Sequence, residues 1–260
     1  MIVLDLRNIE QTIEVFWRDS PLNTVEELDN LQIFSRPLIG VAQAQDELFK
    51  SLRNEDAVGE EHMSPNQWLY SSKSVIAYFL PFTKEVREAN RCMGLPAREW
   101  LFGRIEGELF NKALCQFLVR WFREQGYEAV APAVDERFKV INRKSNWSES
   151  HVAYVAGLGT LSLSCSIITK SGSAGRLGSV IVSTPLEPTP RYYNTKDENC
   201  TKCGACIVRC PPLAISESGK DHAVCSEYLD RVLARFHPRY GCGKCQTRVP
   251  CEDRIPRVAK

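Results

Sequence analysis

The chain has 260 residues, 43% of them hydrophobic, enough for one large core and a small appended unit. Its 33 basic and 32 acidic side chains leave a net charge of +1, so no broad polycationic face for unspecific nucleic-acid binding is indicated. No apolar run approaches a membrane span, and Met1 to Arg7 lacks the basic end and long apolar stretch of a secretory signal; with eleven cysteines, this argues for thiolate ligands in a reducing cytoplasm instead of disulfides.

Up to about residue 60 the sequence mixes amphipathic helical stretches with one short apolar strand, Pro37 to Ala42. Ser74 to Pro81 reads as a buried strand from its β-branched and aromatic content. From Pro96 to Gln125 the row Leu101, Ile105, Leu109, Ala113, Phe117, Trp121 predicts a helix, with Pro96 in its first turn and Gly126 just past its end. The aromatic residues Trp100, Phe110, Phe117 and Trp121 on it read as core packing. Glu128 to Val134 is a further strand, Asp135 to Asn146 an irregular polar stretch, and a short helix follows from Ser148 with Gly157 as its stop. A loop of small residues, Gly157 to Gly178, precedes a buried strand at 179–183. Pro185 to Pro190 reads as a linker into a cysteine-rich tail. Strands alternating with helices ahead of such a tail predict an α/β domain with a ferredoxin-like module.

Eight of the eleven cysteines fall between Cys200 and Cys251. Cys200-Thr-Lys-Cys203-Gly-Ala-Cys206-Ile-Val-Arg-Cys210-Pro211 is the Cys-x2-Cys-x2-Cys-x3-Cys-Pro spacing of bacterial 4Fe-4S ferredoxins. Three thiolates two residues apart reach three corners of one cubane, and the fourth serves the neighbouring cluster in two-cluster proteins. Structural zinc usually shows two separated Cys-x2-Cys pairs instead of a triplet run. Cys225, Cys242, Cys245 and Cys251 complete the eight thiolates that two cubanes need. If the ferredoxin crossover holds, Cys200, Cys203 and Cys206 share a cluster with Cys251, and Cys210 joins Cys225, Cys242 and Cys245. A second ferredoxin run would place its cysteine where Val249 stands, so the loop to Cys251 takes another path. One cluster with several spare thiols is the alternative. Cys92, Cys115 and Cys165 read as non-ligands, with Cys115 in the core.

The glycines of Gly157-Leu-Gly-Thr and Ser171-Gly-Ser-Ala-Gly-Arg-Leu-Gly-Ser do not make a dinucleotide fingerprint, although they allow a flat cofactor to approach the backbone. Ordinary surface loops are the plainer reading. His62, His151, His222 and His237 lack metal-ligand spacing, and His151 beside Glu149 reads as a structural histidine.

Asn146-Trp-Ser-Glu-Ser-His-Val-Ala-Tyr-Val-Ala-Gly-Leu-Gly, Gly175-Arg-Leu-Gly-Ser, Pro185-Leu-Glu-Pro and the two cysteine sets resemble the epoxyqueuosine reductase family. The resemblance runs from Lys73 to the end. It is closest to a shorter ferredoxin-type branch, with reductive dehalogenases as distant relatives. It implies an α/β (α+β) nitroreductase-like domain over residues 1–190 and a ferredoxin-like two-cluster 4Fe-4S module over 191–260. It also implies a base-off cobalamin between them, one cubane near the corrin, and a corrin pocket lined by Gly157, Gly159, Gly175, Arg176 and Gly178. Cobalt in its lowest oxidation state is a strong nucleophile and reductant. The family's proton-donating aspartate belongs to an Asp-x-x-Pro-Val-Leu-Glu stretch. Here Glu149 matches the glutamate and Arg143 stands in the aspartate's place, which leaves Asp135 as the substitute acid.

These resemblances imply an oxidoreductase that uses two 4Fe-4S clusters and cobalamin on a small molecule or a protein-bound corrinoid. A low-potential donor such as ferredoxin or flavodoxin would feed it. A plain electron carrier and epoxyqueuosine reductase itself are the alternatives. The tRNA-handling members continue into a helical repeat domain, whereas this sequence ends soon after Cys251, so the expectation is against a tRNA substrate.

Overall fold

The computed structural model describes residues 4–257. Helix α1 (Leu6–Asp19) opens on a capping box in which Asp5 and Asn8 bond each other's backbone N–H, and it buries Ile9 and Ile13. The centre is a four-stranded sheet of β1 (Leu38–Gln43), β2 (Ser74–Pro81), β3 (Ala129–Val130) and β4 (Gly175–Val182), in the order β1-β2-β4-β3. Every neighbouring pair is antiparallel, so the alternation of strands and helices does not build parallel βαβ units and the class is α+β.

Helix α2 (Arg98–Glu124) packs on one face of β4, and helix α3 (Glu149–Val155) packs on β2 and β4. Side chains alternate accordingly. Ile76, Tyr78, Leu80, Val180 and Val182 join the core under α1 and α2, while Val75, Ala77, Phe79 and Ile181 join the core under α3. All eight residues of β2 are buried, as its unbroken apolar run requires.

Several expectations change at this level. Pro96 precedes α2 and its cap Ala97 instead of sitting in the first turn, whereas Gly126 has φ of 85° just past the end. Leu109 is 54% exposed; the sheet-facing row of α2 is Phe110, Leu114, Leu118 and Phe122. The buried row has the same spacing as the predicted one and is offset from it by one residue, because apolar side chains lie on both rows and spacing alone does not choose between them. The segment read as a loop from Gly157 to Gly178 holds a hairpin (Gly159–Leu161 with Ile167–Thr169) and the first half of β4. Gly175 and Gly178 sit inside that strand because a Cβ there would collide with the Leu80 carbonyl and Phe79 ring, or with the Tyr78 hydroxyl. The predicted strand from Glu128 to Val134 shrinks to Ala129–Val130 followed by a 3-10 turn at Pro132–Val134.

The tail carries a short helix (Ala205–Arg209), a small hairpin (Ile215–Ser216 with Gly219–Lys220) and helix α4 (His222–Phe236), which no sequence signal predicted. It is seated on the first region by polar contacts. Glu252 accepts from Arg87 Nη1 at 2.8 Å and from Arg91 Nη2 at 2.9 Å. The Ser173 N–H donates to the Cys251 carbonyl at 2.9 Å. Lys244, 1% exposed, donates to the Asn90 and Cys92 carbonyls at 3.1 and 2.9 Å. Gly243 (φ 62°) lies so close over the Trp100 ring that no side chain fits.

Candidate functional site: two thiolate sets and a cleft

The described structure brings the cysteines into two groups. Cys200, Cys203, Cys206 and Cys251 line one pocket with Leu163, Ile168 and Val249. Burial raises the Cys251 thiol to about 11; the Ser173 hydroxyl works against this, and Cys200, Cys206 and Cys203 add to it. Cys206 is raised by burial and then by Cys200 and Cys203. In the second group, burial raises Cys242 to about 11, and Cys210 and Cys225 raise it further. Burial likewise raises Cys245 to about 12, against the pull of Lys220 and with the push of Cys242, Cys225 and Cys210. Mutually repelling, desolvated thiolates are what a multinuclear cationic centre neutralises, and loading one releases protons.

Among the described residues no three His, Cys, Asp or Glu side chains converge as the ligands of a single ion would. A cubane spreads its four thiolates over four iron corners, so its ligands stand farther apart than those of zinc. Two groups of four thiolates are the donor set that two 4Fe-4S clusters would take. Cys210 Sγ also accepts the Ala214 N–H at 3.2 Å, a hydrogen bond of the kind that tunes cluster sulfurs. Cys115 lies in the core, Cys92 is exposed beside Lys244, and neither borders a thiolate pocket. Cys165 lines the adjacent cleft.

That cleft has a volume of about 970 Å³. Its walls come from the Leu48–Val58 region, the Asn142–Ser145 hairpin tip, α3 at His151 and Tyr154, the Leu161–Cys165 turn, and the tail at Lys196–Lys202 and Gly219–Ala223. Ser162, Leu163, Cys200 and Lys202 line both the cleft and the first thiolate pocket, so the two spaces meet at Cys200. At the other end Lys220 feels the second group, its ammonium raised by Cys245, Cys225 and Cys165 against the effect of burial. Arg143, Lys144, Lys196 and Lys220 face the space, and Lys202 is tied to Asp197 at 3.0 Å. His151 bonds the Ser148 hydroxyl through Nδ1 at 2.8 Å, and burial lowers it to about 4, so it is neutral at pH 7.

The other residues singled out from sequence lie elsewhere. Asp135 accepts from Arg137 at 2.8 Å, and that guanidinium holds its carboxyl below the usual range, outside the cleft. Glu149 sits at the start of α3 with both carboxylate oxygens closed to solvent, and burial raises it to about 7 against the pull of the nearby Ser179 hydroxyl. Gly157 abuts Thr189 and Pro190, Gly159 the Ile168 carbonyl, and Arg176 pairs with Glu108 of α2. None of Gly157, Gly159, Gly175, Arg176 and Gly178 lines the cleft; from that stretch it is Leu161–Leu163 and Cys165 that do. Lys196 and Lys220 were missed because isolated lysines carry no spacing signal, and His222, read as lacking metal-ligand spacing, joins them in the cleft wall.

No family model matches the sequence, and no curated protein matches it. Solved structures do. Over 97% of this chain and 69% of the other, it superposes on the epoxyqueuosine reductase from Streptococcus thermophilus with a TM-score of 0.51 at 18% identity. An epoxyqueuosine reductase with an epoxyqueuosine-modified tRNA-Tyr stem loop matches 95% of this chain and 66% of its own, with a TM-score of 0.52 at 18% identity. A reductive dehalogenase described as suggesting a mechanism for B12-dependent dehalogenation matches 74% of this chain with a TM-score of 0.51 at 14% identity. Its fold is that of the epoxyqueuosine reductases and the reductive dehalogenases. The chain spans only 27% of that dehalogenase's length. Among the described residues no helix is long and apolar enough to cross a membrane.

Proposed function

We propose that this protein is an iron–sulfur reductase of the epoxyqueuosine reductase and dehalogenase fold, holding two 4Fe-4S clusters and a cobalamin. In this reading Cys200, Cys203, Cys206 and Cys251 hold one cluster, and Cys210, Cys225, Cys242 and Cys245 the other. Residues 1–190 form the cofactor and substrate domain, and 191–260 the cluster module. The observation that carries the reading is that the cleft and the first thiolate pocket share Cys200. Its volume stands at the upper end of the roughly 300–1,000 Å³ of cofactor pockets. Bound cobalamin would supply a low-valent cobalt nucleophile and reductant.

The chain's own residues have separate parts. The Leu161–Leu163 turn would pack the flat face of the cofactor beside Cys200. The hairpin tip at Arg143 and Lys144 would bind an anionic group of the substrate and narrow the mouth against water. Glu149, which keeps its proton up to about pH 7, would be the buried acid behind the wall. Asp135 is the weaker assignment, since its Arg137 partner favours the ionised form.

A second reading, epoxyqueuosine reductase itself, is favoured by the neighbour solved with a tRNA stem loop, which weighs against the expectation that tRNA is no substrate. Anaerobic reconstitution with iron and sulfide, then titration with cobalamin, tests the first reading. About eight irons per chain are expected from two cubanes, together with a change in the corrin spectrum. Leu161→Trp, in the cleft but outside the thiolate pocket, should keep the iron and lose the corrin. Wild-type protein with full iron and no cobalamin binding at micromolar concentration would leave an electron carrier. Tight binding of a modified stem loop would move the second reading first.

A further inference from the structure

Between the two thiolate groups the surface changes character. Val208, set between Cys206 and Cys210, is 83% exposed. Met93 is 72% exposed, and its sulfur meets Arg209 Nη1 at 3.3 Å, which ties the loop at 93 to the helix of Val208. Arg209 is fixed by backbone carbonyls, among them Thr247 at 3.1 Å, and has no carboxylate hydrogen-bond partner among the described residues. Arg248 lies close enough to repel its guanidinium.

Arg248 itself is exposed and has φ of 55°, a conformation that non-glycine residues seldom adopt. Its N–H donates to Glu252 Oε2 at 2.5 Å, so the turn is held while the side chain is left outside. It opens a groove of about 930 Å³ lined by four arginines, Arg91, Arg248, Arg254 and Arg257, against two carboxylates, Glu252 and Asp253. Both carboxylates are engaged in ion pairs with Arg87, Arg91 and Arg254. Val249, Pro250 and Pro256 line this groove and also the first thiolate pocket, so a wall shared by both separates the arginines from Cys251.

We propose that this face, with Val208 and Met93 at its apolar centre and Arg91 and Arg248 on its rim, docks an acidic flavin or iron–sulfur electron-carrier protein. The inference rests on the cluster reading given above. Charge complementarity selects the partner's sign, and exposed apolar side chains beside the thiolates supply a small dry contact. Electron-transfer complexes are held by interfaces at the low end of the size range and by steering that weakens with salt. The exposed side chains of Val208 and Met93 offer an apolar contact that a phosphate backbone would not use, which favours a protein over an RNA. In each encounter the carrier loses one electron and one cluster gains it, with no bond made or broken.

The test uses the full chain reconstituted without oxygen, with an acidic flavodoxin as probe. Affinity is measured by calorimetry at two salt concentrations, and cluster bleaching is followed after mixing with the reduced carrier. Arg248→Glu should weaken binding and slow bleaching by about tenfold, the size of a rim-charge effect on association. Val208→Glu should do so independently. Both variants should keep wild-type iron content and wild-type bleaching by reduced methyl viologen, a small cation that needs no arginine face. Wild-type protein without iron would sink the cluster reading and this inference with it. Full iron with flavodoxin binding unaffected by either variant or by salt would overturn the docking face alone. So would Arg248→Glu weakening a tRNA stem loop and leaving flavodoxin binding intact.

Discussion

The two regions of this molecule are held by different forces. The sheet region buries an apolar layer on each face, with side chains such as Phe110, Leu114, Tyr78 and Val180 on one side and Trp147, Val152 and Phe79 on the other. In the tail the fully buried apolar cluster is Cys210, Ala214 and Ile215. A segment that size cannot offset its conformational entropy from so small a core. What remains is the metal–thiolate bonding that the proposed clusters would supply and a set of polar contacts that seat it on the sheet region.

The sharpest way to break this contrast is to remove the iron. Without it, residues beyond about 190 are expected to unfold while the sheet region keeps its structure, because metal binding supplies the tail's folding free energy. Limited proteolysis should then cut after about residue 190 in apo-protein and spare the reconstituted chain. Equal resistance with and without iron would show that the tail folds by packing after all.

The seating contacts come next. Glu252, whose side chain is 4% exposed, takes Arg87, itself 13% exposed, and the Arg248 N–H. Glu252→Ala leaves the Arg87 guanidinium without that partner in a dry site, a loss of about 3 kcal/mol for breaking such a pair. It should appear as a lower unfolding midpoint and as faster cleavage within the tail, with the sheet core unchanged. A variant of wild-type stability would mean that the tail is seated by other means.

Within the sheet region the largest electrostatic liability is Glu149. Its carboxyl is raised from 4.5 to about 7 by burial, so the folded state holds a proton that the unfolded chain releases. For a raised acid the stability is complete below the unfolded value, falls as pH rises through the interval, and is fully lost above the folded value. The loss amounts to on the order of 3 kcal/mol. Thermal unfolding of iron-loaded protein from about pH 5 to about pH 8 should decline in the wild type and much less in Glu149→Gln. Parallel curves would show that Glu149 is ionised in the fold at little cost.

Much of this organisation was legible in the sequence. Strand β2 was readable because a run buried on both faces shows no alternation to misread. The first cysteine run was readable as a group because its spacing is regular, and Cys200, Cys203 and Cys206 do line one pocket. The start of β4 was hidden, since Gly175 and Gly178 look like loop residues until the Tyr78 hydroxyl and the Leu80 carbonyl are seen beside them. The cleft was hidden too. Its walls come from widely separated stretches, and the glycines that suggested a cofactor pocket are occupied by close packing within the chain. Helix α4 was hidden because it buries only Val232 among its described residues, too little for an apolar stripe to show.

The smallest effect expected is at Leu109, on the exposed face of α2. The every-fourth-residue row put Leu109 in the core, whereas it is 54% exposed and its neighbour Phe110 is fully buried against Phe16 and Phe34. Removing a buried phenylalanine side chain costs about 3–5 kcal/mol through lost transfer energy and the cavity left behind. Removing an exposed leucine changes stability by less than about 0.5 kcal/mol, and alanine's better helix propensity offsets part of even that. Phe110→Ala should therefore destabilise the sheet region severely and Leu109→Ala hardly at all, as chemical unfolding of each would show. Because Leu109 lines neither the thiolate pocket nor the cleft, iron content at low denaturant should be the same in Leu109→Ala and wild type. A loss for Leu109→Ala comparable to that for Phe110→Ala would mean that the exposed face of α2 is covered by something this structure does not contain.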